Sequence, residues 1–171
     1  VATGIAKREE VLEMAYMSRA KRLDKAVSEL NDTATDMRTL AEEIEAATSE
    51  LDDEKETLSE LTEEQCKNFR EKADNFTMLD FGEIESLGEE MRNWADGLSG
   101  TNLENSEKYQ RIEEAADTCE NVDTNIEIPT APETNDKTEW EEFADALNEA
   151  ADSIENETSN LDGVDFPSMY G

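Results

Sequence analysis

The chain has 171 residues, with 46 Asp and Glu against 15 Lys and Arg and no histidine, for a formal net charge of −31. A polyanion of this strength is repelled by nucleic acid and by anionic membrane surfaces, which argues against direct contact with either. The missing histidine removes the commonest general base and the commonest metal ligand.

Charged residues and apolar residues each make up 36% of the chain, against about 25% and 45–50% in ordinary globular proteins. Such a composition admits disorder, but the apolar residues recur with a regular period, which predicts a folded chain. No run approaches the ~18 apolar residues of a membrane span, and the first residues lack a charged-then-apolar leader pattern. A soluble protein is expected. Cys66 and Cys119 are far apart and in no metal spacing, so they read as two reduced, partly buried side chains.

Charge is unevenly distributed. Residues 1–30 carry six basic and five acidic groups, whereas residues 31–171 carry nine and 41. Arg19, Lys21 and Arg22 form a small basic cluster; the rest of the chain is a polyanion.

In chain order, the first predicted element is a long amphipathic helix or helical hairpin over 5–61. Neither glycine nor proline occurs between Ile5 and Phe81. Leu23, Leu30, Met37, Ile44, Leu51 and Leu58 fall seven residues apart, the seam of a helix packed on another helix. Ala26, Leu40, Ala47 and Leu61 supply the intervening d-like layers, Thr33 and Glu54 the weak ones. Ile5, Leu12 and Tyr16 keep the same phase. Arg19 and Glu54 fall on the seam, where they snorkel or mark local openings. An unbroken helix of this length reaches about 85 Å. The alternative is a hairpin bent at Asn31-Asp32-Thr33, whose short polar side chains compete with the helix ladder.

The apolar phase then slips by one, to Cys66, Phe69, Ala73 and Phe76. The slip coincides with Thr62-Glu63-Glu64-Gln65, a capping box that starts a new helix. Residues 62–121 read as a bundle of short helices. Ile84, Leu87, Met91, Trp94 and Leu98 share a helical face ended by Gly97 and Gly100. Ser106 caps the next helix, with Tyr109, Ile112, Ala116 and Cys119. Residues 122–137 are an extended linker, because Pro129 and Pro132 prevent a continuous helix, and Ile126 and Ile128 pin it. Thr138 opens a C-terminal helix over 138–161, with Trp140, Phe143, Leu147, Ala151, Ile154 and Leu161 on one face. An irregular tail, 162–171, carries Val164, Phe166, Met169 and Tyr170 for docking on the core or on a partner. The expected fold is all-α: a long heptad-bearing helix or helical hairpin followed by a small bundle of shorter helices.

No catalytic constellation is evident. Nucleophilic triads need a base beside the nucleophile, and among 46 carboxylates any acid pair is expected by chance. Asp74–Glu85 has acids at both ends of a calcium-loop length, but Phe76 and Met78 stand at positions three and five and the central glycine is missing. The expectation is a protein without enzymatic activity, metal or cofactor.

The charge itself needs an account. Solubility requires a net charge of only about 2–8 for a small domain, and self-repulsion beyond that weakens the compact state. Duplex DNA carries one charge per ~1.7 Å of axis, so 31 charges match about 50 Å of duplex. Carboxylates three and four residues apart on a helix lie ~5–6 Å from one another, so helices can hold them in rigid rows. Rows are expected at Glu42, Glu43, Glu50, Asp53 and Glu54; at Glu83, Glu85, Glu89 and Glu90; at Glu113, Glu114, Asp117 and Glu120; and at Glu139, Glu141, Glu142, Asp145, Glu149 and Asp152. The last three form the expected partner-binding surface.

In size, acidity and predicted helicity over residues 31–171, the chain resembles the DNA-mimic inhibitors that bacteriophages make against restriction and other host defence enzymes. The resemblance implies an anti-restriction role in the cytoplasm of an infected cell. The partner would be a nucleic-acid-binding protein whose basic surface the acidic rows occupy, with no nucleic acid bound directly and no membrane. The alternative is a coiled-coil structural or adaptor protein, of a virion, scaffold or multi-protein complex, with salt adaptation as another source of acidity. The heptad face also allows a homodimer.

Overall fold

The computed structural model describes residues 18–53, 59–76 and 79–167. The fold is all-α: a long first helix followed by shorter ones. Among the described residues the helices are α1 (Arg19–Asp53), α2 (Glu63–Ala73), α3 (Gly82–Leu98), α4 (Glu107–Glu120) and α5 (Lys137–Asn160), with a 3-10 turn at Asp74–Phe76. No strand occurs among the described residues; one isolated antiparallel bridge joins Glu60 and Asp136.

The hairpin alternative does not hold: α1 runs unbroken through Asn31-Asp32-Thr33. The hydroxyls of Thr33, Thr35 and Thr39 each donate to the carbonyl four residues back, at 3.0–3.1 Å. The Asn31 side-chain carbonyl accepts from the Thr158 hydroxyl at 2.8 Å. Asn31 and Thr33, which could compete with the ladder, have partners compatible with it, so no bend forms.

Leu23, Leu30, Met37, Ile44 and Leu51 are all buried, as are Ala26, Leu40 and Ala47. Leu58 lies outside the described residues, with Ile5, Leu12, Tyr16 and Glu54. Ala34, Ala41 and Thr48 are buried too. The buried line therefore passes through Ala34, one residue beyond the expected weak layer at Thr33. Three lines of a heptad are covered instead of two. That breadth is typical of a helix in a globular core, whereas a two-stranded coiled coil needs the narrower seam. Leu61 is buried but stands outside any helix, its N–H donating to the Asn135 carbonyl at 2.9 Å.

The chain forms two compact units. One takes segments 1–28, 80–122 and 160–171; the other takes 29–79 and 123–159. In the first unit α3 and α4 pack as a helical hairpin. Gly88 permits their approach: a Cβ there would stand 3.1 Å from that of Cys119. The link between them turns through Gly100 and Asn105, both at positive φ, and Ser106 caps α4 by accepting from the Tyr109 N–H at 3.1 Å. Met91, Ala95, Ile112, Ala115 and Ala116 form a buried cluster, against which Trp94, Leu98, Tyr109, Val164 and Phe166 pack. Val164 and Phe166 of the tail thus dock on the core; Met169 and Tyr170 lie outside the described residues.

The second unit is centred on Trp140, fully buried, with the rings of Phe69 and Phe143 5.8 and 5.7 Å away. The indole N–H donates to the Thr134 carbonyl at 2.9 Å. Arg70 donates to the carbonyls of Pro132 and Thr134, and its guanidinium lies 5.6 Å from the Trp140 ring centre. These contacts satisfy backbone groups of a segment that cannot be helical. The capping box forms as the sequence predicts: the Gln65 N–H donates to Thr62 Oγ1 at 3.1 Å and the Thr62 N–H to Gln65 Oε1 at 3.0 Å. At the start of α5 the cap is Asp136, not Thr138. The Asp136 carboxylate accepts from the Thr138 N–H at 3.2 Å, and the helix begins at Lys137.

Candidate interaction surface

No Asp or Glu of residues 18–51, 59–76 and 79–167 is buried; the buried polar side chains there are Thr48 and Thr158. This follows from the apolar period, which turns one face of each helix inward and leaves the acids outside.

Some expected rows are tied down from within. In the first unit Arg22 binds two carboxylates of α3: Glu83, and Glu90 in a forked contact with donor distances of 2.7 and 3.1 Å. Arg92 of α3 bridges Asp117 and Glu120 of α4. In the second unit Arg38 of α1 bridges Asp152 and Glu155 of α5. The device recurs: a guanidinium on one helix closes on two carboxylates of a partner helix, one or two turns apart. Bidentate geometry suits arginine and not lysine. The carboxylate hydrogen bonds hold all three guanidinium pKa values above their ordinary value, with burial opposing. Each clamp keeps a net negative charge, because two acids share one base.

Other expected members have lighter ties. Glu113 accepts from the Tyr109 hydroxyl at 3.0 Å, which raises the phenol pKa. Glu141 pairs with Lys137 at 3.3 Å, and Glu139 accepts from the Thr134 hydroxyl. Glu43 pairs with Lys72 at 2.7 Å. Glu85, Glu89, Glu114, Glu142, Asp145 and Glu149 are exposed. On α5, Glu139, Glu142, Asp145, Glu149 and Asp152 recur at three or four residues and are all exposed, so they form one stripe. At ~1.5 Å rise per residue the stripe is about 20 Å long.

Arg19 departs from the snorkelling reading, because its Nε is buried and makes no hydrogen bond. Its guanidinium lies over Trp94, 5.3 Å from the ring centre, with Glu90 at 3.8 Å. Lys108 sits 5.4 Å from the same ring, so cations flank this indole.

The cysteines are free and buried. Burial, and then the Glu120 charge, push the Cys119 thiol up to about 11. Burial likewise raises Cys66, opposed by Arg70. Both are poor nucleophiles at neutral pH. Among the described residues no cluster of three Cys, Asp or Glu side chains has metal-binding geometry, and no helix is long and apolar enough to cross a membrane.

The two units differ in charge. The segments of the first carry nine basic and 18 acidic residues, a net of −9, and those of the second carry six and 28, a net of −22. The sequence alone assigned the acidity to residues 31–171; the fold concentrates it in one unit. The clamps were also beyond sequence reasoning, because their partners lie 25 to 117 residues apart. Comparison with family models, with curated proteins and with solved structures finds no match to this chain.

Proposed function

We propose that the protein is a non-enzymatic DNA mimic, of the kind phages use against host defence, which occupies the basic nucleic-acid-binding surface of a target enzyme. The observation that carries this reading is the second unit, with a net charge of −22 on an all-helical frame and every carboxylate of residues 29–51, 59–76 and 123–159 outside the core. Fixed carboxylates on rigid helices keep their spacing when a basic partner approaches, as a flexible acidic tail does not. The α5 stripe supplies five carboxylates in about 20 Å, against about six phosphates per strand over the same length of duplex. Steering by such a field accelerates encounter and weakens with salt.

The coiled-coil alternative has less to support it, since Leu23, Leu30, Met37, Ile44 and Leu51 of the seam are buried within the chain. Its surviving form is an adaptor that binds through the same acidic face.

The test is binding to a panel of restriction enzymes, methyltransferases and other DNA-binding defence proteins at low salt. The expected result is tight, salt-sensitive binding to one or more of them, competed by a duplex oligonucleotide. Glu142→Lys/Asp145→Lys/Glu149→Lys should weaken it at least a hundredfold. Absence of binding at low salt across the panel, or simultaneous occupancy with DNA, would refute the proposal.

A further inference from the structure

Residues 123–130 of the second unit run beside α5 and enclose a groove of about 600 Å³ with it, within the ~300–1,000 Å³ range of ligand sites. The lining includes small and apolar side chains, Ala146 and Ala150 of α5 with Ile126 and Ile128 from the strap. Asp123, Glu127, Glu149 and Glu157 also line it, and among the described residues no Lys or Arg does. Exposure alternates along Asn125, Ile126, Glu127 and Ile128, the period of an extended backbone whose side chains point alternately to two sides. The strap is anchored where the Asp123 N–H donates to the Glu157 carboxylate at 3.0 Å. The backbone N–H groups of Ile126 and Ile128, which an extended chain turns to one edge, meet no protein partner among the described residues. An extended backbone with open donors is the edge to which another extended chain can add.

We infer that this groove takes an extended, Lys- or Arg-bearing segment of a partner protein, paired with the backbone at 125–129. Charge complementarity selects the occupant. A lysine or arginine has an aliphatic stem for the alanine and isoleucine side chains and a cationic head for the carboxylates. A second copy of this chain, also strongly acidic, is disfavoured there. The groove would add short-range specificity to the long-range field, and it stands whether or not the target is a nucleic-acid enzyme.

The probe is a fluorescein-labelled ten-residue peptide alternating Lys and Val, followed by anisotropy on the full chain at 150 mM NaCl. Saturable binding is expected, with at least tenfold loss in Ala146→Trp, which places an indole in the groove. The same loss is expected in Glu127→Gln/Glu149→Gln, which keeps the shape, so the result can be read even if the tryptophan variant misfolds. It is also expected for a peptide with alternate amides N-methylated. Glu42→Gln/Glu50→Gln, an equal change of charge elsewhere on the unit, should alter affinity less than twofold. No binding, or an equal loss in that control pair, would overturn the inference and leave only general polyanion attraction. A dimer by light scattering that Ala146→Trp dissociates would also overturn it, assigning the groove to a second copy.

Discussion

The two compact units hold their helices by different means. Both contain arginine clamps, but the first, with a net charge of −9, relies on close approach, a glycine letting α3 meet α4 at Cys119. The second carries −22 and relies on a large aromatic centre, Phe69–Trp140–Phe143. The more strongly charged unit is thus the one centred on a buried cluster of three rings. Each unit also contains one buried cysteine, Cys119 in the first and Cys66 in the second. Thiol labelling therefore reports the opening of each separately.

The strongest way to break the contrast is Trp140→Ala. It should cost about 3–5 kcal/mol, lower the urea midpoint and expose Cys66 to a disulfide reagent well before Cys119. Equal acceleration at both thiols would mean that the units open together. Next is Gly88→Leu, expected to cost about 1–3 kcal/mol by forcing α3 from α4. Here the order reverses, and Cys119 should become reactive first.

Removal of a clamp is a smaller change. Arg38→Ala leaves Asp152 and Glu155 without their shared cation and should cost about 1 kcal/mol or less, since the pair is largely exposed. The loss should be greater at low ionic strength, where the residual acid–acid repulsion is unscreened. Arg92→Ala is the matched change in the less charged unit, and a thermal melt of the two variants at low and high salt compares them. A larger salt effect for Arg92→Ala would contradict the charge contrast.

The last expected effect is confined to alkaline pH. An unfolded thiol ionises near 8.5, whereas burial and the Glu120 charge hold that of Cys119 up to about 11. The unfolded state therefore releases its proton first as pH rises. The stability this thiol contributes is complete below about pH 8.5 and is lost as pH climbs towards 11. Urea midpoints between those limits should fall less in Cys119→Ala than in the parent chain; identical slopes would remove the thiol from the account.

Much of the frame was legible from local patterns. The seven-residue apolar period placed the interior face of α1, and Thr62 with Gln65 marked the start of α2, because both signals depend on neighbours within a turn or two. The exact buried line at Ala34 was not, because it depends on what packs there. The hairpin at Asn31 stayed open because the same short side chains either break a helix or bond back to it. Gly88, in the middle of a helix, reads locally as a weak point; its use is set by Cys119, 31 residues on in sequence. For the acidic surface, composition gave the total charge and periodicity gave the rows. Which acids are clamped depends on arginines distant along the chain.

The alternation of segments between the units has a consequence for how the molecule is made. The chain passes from one unit to the other four times, at about residues 28, 79, 122 and 159. During synthesis the second unit has all its segments by residue 159, whereas the first waits for Leu161, Val164 and Phe166. Arg22, among the earliest described residues, waits for Glu83 and Glu90, 61 and 68 residues further along the chain. Nor can either unit be cut out as one uninterrupted piece, so a nested set of ribosome-stalled chains should gain Cys66 protection before Cys119 protection.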